Sequence, residues 1–131
     1  MELFHYQHSR PVWVSFENRT GQKGQGGLEN FGAKGHACEY FANGEEKILC
    51  DIDGPGIIRK IWFTLDDRSS MMLKGISLKI YWDDSVEPAV NVPIGDFFCM
   101  GHGTMRPFEN ELFSSPEGRS FNCYIPMPFL E

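Results

Sequence analysis

The run Ile76-Ser77-Leu78-Lys79-Ile80-Tyr81-Trp82 alternates apolar and polar side chains, the pattern of a strand with one face buried. No stretch of the chain carries the roughly 3.6-residue period of a long amphipathic helix. With 14 glycines and 8 prolines as breakers, the sequence is confined to short extended segments joined by turns. Val12 to Phe16 is expected as a first strand, closed by Glu17-Asn18. Glu46 to Asp53 is expected as a second, and Gly54-Pro55-Gly56 forces the turn after it. Ile57 to Leu65 reads as a strand buried on both faces near its end, and one helical turn is expected around Met71-Met72-Leu73. Ala89 to Ile94 is a short strand, 95–118 is irregular, and Arg119 to Phe129 is a last extended segment. Six or seven short strands of this kind predict an all-β jelly-roll β-sandwich, with 1–131 forming one domain that is truncated relative to an eight-strand sandwich.

The net charge of −6 and the scattering of Lys23, Lys34, Arg59 and Lys60 argue against nucleic acid as a partner, because phosphate binding needs a basic patch. No apolar run approaches the roughly 20 residues of a membrane span, and the N-terminus has no signal-peptide pattern, so a cytoplasmic chain with no membrane partner is expected. Cys38, Cys50, Cys99 and Cys123 lack the close pairing of a zinc site, so neither a metal nor another cofactor is expected. Cys50 and Cys123 sit in apolar runs and are expected as buried free thiols.

The Gly-rich segment from Thr20 to Gly35 matches no phosphate-binding fingerprint and is expected as a long surface loop packed by Leu28 and Phe31. Asn18-Arg19-Thr20 fits a glycosylation sequon by accident, and Asp51-Ile52-Asp53-Gly54 lacks the later ligands of a calcium loop. Tyr81 to Phe98 reads Y-W-D-D-S-V-E-P-A-V-N-V-P-I-G-D-F-F and sets carboxylates beside aromatic faces. Sugar-handling surfaces use that combination, because carboxylates accept from hydroxyls while rings cover the apolar face of a sugar. Protein interfaces use the same residue types.

Five blocks occur in order: G-P-G-I-I-R-K-I-W-F-T (54–64), L-K-I-Y-W-D-D (78–84), P-A-V-N-V-P-I-G-D-F-F (88–98), G-H-G (101–103) and G-R-S-F-N-C-Y-I-P-M-P-F (118–129). With S-F-E-N-R-T-G and A-K-G (33–35) ahead of them, they resemble the N-terminal part of the domain-of-unknown-function 2961 family, also classed as glycoside hydrolase family 172. That resemblance implies a retaining, exo-acting furanosidase built on two jelly rolls and acting on fructofuranose- or arabinofuranose-containing glycans. It also implies homo-oligomers, trimers or larger, with the pocket near a subunit boundary. The family's catalytic glutamates fall beyond the matched blocks, so this chain looks like the first jelly roll without its catalytic half, and no catalytic residue is assigned here. The alternative is a non-catalytic jelly-roll module for glycan binding or oligomer assembly.

Four residues are candidate sugar contacts. Asp96, between Gly95 and Phe97, either bonds vicinal hydroxyls of a furanose or braces an irregular loop. Asp83 follows Trp82 where a strand runs out, and its plainer role is turn formation. His102 lies between two glycines and is expected at the surface. Trp62 is either core packing, like Trp82, or a platform for a sugar ring.

Overall fold

A computed structural model describes residues 6, 8–33 and 35–130, which fall into two compact units, 1–53 and 54–131. Among the described residues, all regular strands lie in the second unit: β1 (Gly56–Ile58), β2 (Ile61–Phe63), β3 (Ser77–Ile80), β4 (Val90–Pro93), β5 (Phe108–Glu109), β6 (Phe113–Ser115), β7 (Phe121–Cys123) and β8 (Met127–Phe129). Two short helices interrupt them, α1 (Ser70–Gly75) and α2 (Ile94–Phe97). Every strand pair is antiparallel. The fold class is all-β, with antiparallel sheets layered about one core as in a β-sandwich.

The largest sheet has the order β2-β7-β6-β5, flanked by the pairs β1-β8 and β3-β4. Ile57 to Leu65 was expected as one strand, and it divides because its partner does. Ile58 pairs with Met127 and Ile61 with Cys123, so Arg59-Lys60 oppose the three residues Tyr124-Ile125-Pro126. One extra residue opposite a pair is the signature of a β-bulge, and Pro126 has no N–H to give to the ladder. The stretch expected to be irregular, 95–118, holds β5 and β6. Asn110 makes their turn by accepting the N–H groups of Leu112 and Phe113 on Oδ1 at 2.9 and 2.8 Å.

Alternation fixes which side of the sheet faces inward. Ile61, Phe63, Phe113, Phe121 and Cys123 pack toward Leu73, Ile94 and Phe98. Leu73 comes from α1, capped by Ser69, whose hydroxyl accepts the N–H of Met72 at 3.4 Å. Phe98 is the hub, edge-on to Phe63, Phe97 and Phe121 at centroid distances of 5.1, 4.9 and 5.3 Å. Gly95 lets α2 seat directly on α1: a Cβ there would lie 2.9 Å from the carbonyl oxygen of Leu73.

The first unit departs further from expectation. Val12 to Phe16 and Glu46 to Asp53 form no strand, and Ser15 and Asn18 make a single antiparallel bridge. Leu28 and Phe31 do not pack the Gly-rich loop; both are exposed. A carboxylate holds it instead: Glu17 accepts the backbone N–H groups of Gly27, Leu28 and Glu29. Asn18 closes the turn before it, donating to the carbonyl of Gln22 at 3.0 Å and accepting the N–H of Gln22 at 2.9 Å. Glu39 gathers Arg19 and Lys47 at 3.1 and 3.0 Å, with His36 at 3.6 Å. Polar bonds substitute here for an apolar interior, since no apolar residue described in this unit is fully buried.

All four cysteines are free; Cys123 is buried as expected, but Cys50 is exposed. No helix among the described residues is long and apolar enough to cross a membrane.

Candidate functional site

Trp62 sits between Ile61 and Phe63, both of which face the core, so its own side chain emerges from the other side of the sheet. It is 53% exposed, which removes it from the packing role; Trp82, half-buried, stacks on Phe129 at 6.5 Å as expected. Thr64, two residues on, shares the outward side with Trp62 and donates its hydroxyl to the carbonyl of Arg119 at 2.8 Å. That bond draws the β6–β7 connection against β2, and Gly118, at φ 64°, completes the reversal. The result is an open recess of 330 Å³ lined by Trp62, Thr64, Pro116, Glu117, Arg119 and Ser120.

Beside the recess, Lys60 and Tyr124 make a cation–aromatic contact, while Asn122, opposite Trp62, and Ser114 are buried. Lys60 lies over the ring of Tyr124 at 5.2 Å, and Asn122 donates to the carbonyl of Ser114 and the hydroxyl of Ser120 at 3.1 and 3.2 Å. An indole face beside a guanidinium, a carboxylate and hydroxyls can cover the C–H face of a sugar while bonding its hydroxyls. Glu117 is the one carboxylate lining this recess. Retaining glycoside hydrolysis needs two, about 5 Å apart.

The other three candidates lie elsewhere. Asp96 stands at the start of α2 and receives Lys74 Nζ at 2.5 Å. Lys74 also donates to the carbonyl of Gly101 at 2.6 Å, so the ion pair braces the loop that carries His102. His102 is exposed and lines a second recess, of 390 Å³, with Cys99, Met100, Thr104, Arg106 and Phe108. Asp83 and Asp84, at φ 52° and 55°, form the tight turn closed by Ser85 N–H to the carbonyl of Trp82. Asp83 Oδ1 accepts the N–H of Leu130 at 2.8 Å, which ties that turn to the segment after β8. The structure therefore places Trp62 in one recess, His102 in another and Asp83 at a turn.

Glu117, Arg119, Thr64 and Ser120 were not singled out from the sequence. The available signal was the polar run S-S-P-E-G-R-S (114–120) facing an outward Trp62, and it needed the β2–β7 pairing to become visible. Among the described residues, no three His, Cys, Asp or Glu side chains are grouped to hold a metal ion.

These features define a β-sandwich protein with an aromatic and polar recess on the outer side of its main sheet. A family model described as GH172 domain-like matches residues 36–131, and the chain belongs to that family, which ties it to the glycoside hydrolases. No curated protein matches the chain.

Proposed function

We propose that this chain is the sugar-contacting, first jelly-roll part of a retaining exo-acting furanosidase, acting on fructofuranose- or arabinofuranose-containing glycans. The nucleophile and acid/base carboxyls are supplied by sequence outside it. The observation that carries this reading is the exposed Trp62 face beside Glu117 and Arg119, in a chain of the GH172 domain-like family. In this reading Trp62 covers one face of the ring, Arg119 and the hydroxyls of Thr64 and Ser120 bond its oxygens, and Glu117 accepts from a ring hydroxyl. A homo-oligomer, trimer or larger, is part of the same proposal.

The test has two arms. The full-length gene product is assayed on aryl arabinofuranosides and fructofuranosides, and the 131-residue chain is titrated with methyl furanosides by NMR. Hydrolysis by the full-length enzyme is expected, with binding and no turnover by the chain, and Trp62→Ala is expected to weaken that binding about fivefold or more, the effect of losing a ring contact of about 1 kcal/mol. An inactive full-length enzyme overturns the hydrolase reading. Binding that is unchanged in Trp62→Ala removes the recess from it.

The alternative, a non-catalytic module for glycan binding or assembly, predicts the same titration with an inactive full-length product.

A further inference from the structure

The second recess differs from the rest of the molecule in charge. The chain carries 18 acidic and 12 basic residues, yet no carboxylate lines this recess, while Arg106, His102 and Thr104 do. Among the described residues, neither the Arg106 nor the His102 side chain has a hydrogen-bond or ion-pair partner. Asp96, at the start of this loop, is already matched by Lys74. A guanidinium fork open to a concave site is suited to a planar or tetrahedral oxyanion.

The recess is also held in shape before any ligand arrives. Met100 N–H donates to the carbonyl of Gly95 at 2.6 Å, Gly103 N–H to that of Met100 at 2.8 Å, and Lys74 to that of Gly101. Cys99 takes a positive φ of 65° to turn this loop back, and Met100 is buried beneath it. Fixed walls lower the ordering cost of binding. Its 390 Å³ falls within the roughly 300–1,000 Å³ range of small-molecule sites, enough for a monosaccharide.

We propose that the recess lined by Cys99, His102, Thr104 and Arg106 binds a small oxyanion, the carboxylate or phosphate of a monosaccharide-sized ligand. Arg106 makes the charge-assisted contact, and His102 and Thr104 donate the remaining hydrogen bonds. This site stands apart from the Trp62 recess and does not depend on the furanosidase reading.

The 131-residue chain is titrated by NMR at constant ionic strength with inorganic phosphate, glucuronate, neutral glucose and sodium chloride. Saturable shifts of the amides between Cys99 and Phe108 are expected with phosphate or glucuronate and not with glucose or chloride; which of the two binds more tightly identifies the source of the oxyanion. Arg106→Gln is expected to weaken binding about tenfold or more, the usual effect of losing a charge-assisted bond, while Lys23→Gln, with the same change in net charge, leaves it intact. Should Arg106→Gln lose its dispersed spectrum, His102→Gln is read in the same way. Non-saturating shifts, equal shifts with chloride, or wild-type affinity in the folded variant overturn the proposal.

Discussion

Lys74 Nζ lies 2.5 Å from Asp96 Oδ1 and fastens the end of α1 to the start of α2. Both side chains are more than a third exposed, at 42% and 38%, so solvent screens the pair. Asp96→Asn is expected to lower unfolding free energy by less than about 1 kcal/mol, measured by urea denaturation. A larger loss would mean that the lysine also depends on the pair to hold Gly101. Shifts of the 99–103 amides without a change in melting would place the effect in the loop alone.

Phe98 is 1% exposed and meets the rings of Phe63, Phe97, Phe113 and Phe121. Phe98→Ala is expected to cost about 3–5 kcal/mol, a large part of the roughly 5–15 kcal/mol that holds a domain folded. Urea unfolding followed by near-ultraviolet circular dichroism tests this. A loss below about 1 kcal/mol would show that the aromatic cluster does not carry the core.

Gly95→Ala tests the opposite kind of defect. The new methyl group would sit 2.9 Å from a backbone oxygen and 3.0 Å from Cβ of Leu73, and neither atom belongs to a flexible chain end. Overpacking of that kind is expected to cost about 1–3 kcal/mol, although alanine favours helix over glycine. A stabilised variant in thermal melts would refute the close seating of α2 on α1.

The Gly-rich loop is expected to respond to acid. The N–H of Gly27 foremost, with those of Glu29, Leu28 and His36, holds the Glu17 carboxyl below its ordinary value of 4.5. A carboxyl lowered in the folded state contributes stability that is fully present above its unfolded value. That contribution is lost as pH falls through the folded one. The Gly27 amide resonance is therefore expected to titrate with a midpoint below 4.5 and to lose that titration in Glu17→Gln. A midpoint at or above 4.5 in the wild type would contradict the clamp.

Thiol chemistry separates the cysteines. Cys123 is buried, and burial pushes its thiol up, so alkylation there is expected only as fast as the core opens. Cys38 and Cys99 are exposed and are expected to react first. Cys50 is exposed as a residue, yet burial of its sulfur and then the charge of Asp51 push its thiol up, so it is expected to lag behind them. Mass spectrometry of timed iodoacetamide labelling gives the order, and early labelling of Cys123 would overturn it.

Where one side of a segment is buried, its sequence told its structure. Ile76 to Trp82 contains β3, and the turn at Asp83-Asp84 follows from residues that tolerate positive φ. The break between β1 and β2 was hidden, because its cause is Pro126, distant in sequence and opposed only after pairing. Val12 to Phe16 has strand-like residues but, among the described residues, no strand partner beyond the Ser15–Asn18 bridge, and β propensity without a neighbour decides little. Trp62 was expected in core or inter-sheet packing, with a sugar platform as the lesser alternative, and its exposure on the outer side of β2 removes the first of these. Its companions on the 116–120 connection come from residues of ordinary surface type that become a set only through one Thr64 hydrogen bond.

The pairing of Gly56 with Phe129 bears on how the chain acquires its fold during synthesis. Strands β1 and β2 leave the ribosome early but find their partners only when β7 and β8 follow, so neither pairing forms on a shorter nascent chain. Until then Ile61 and Phe63 stay uncovered by Phe121 and Cys123, and the edge of β2 is open to strangers. Contacts between such distant segments also slow folding, because a long loop must close before they form. From the emergence of Phe63 until that of Phe129, β1 and β2 therefore lack the partners that complete their ladders.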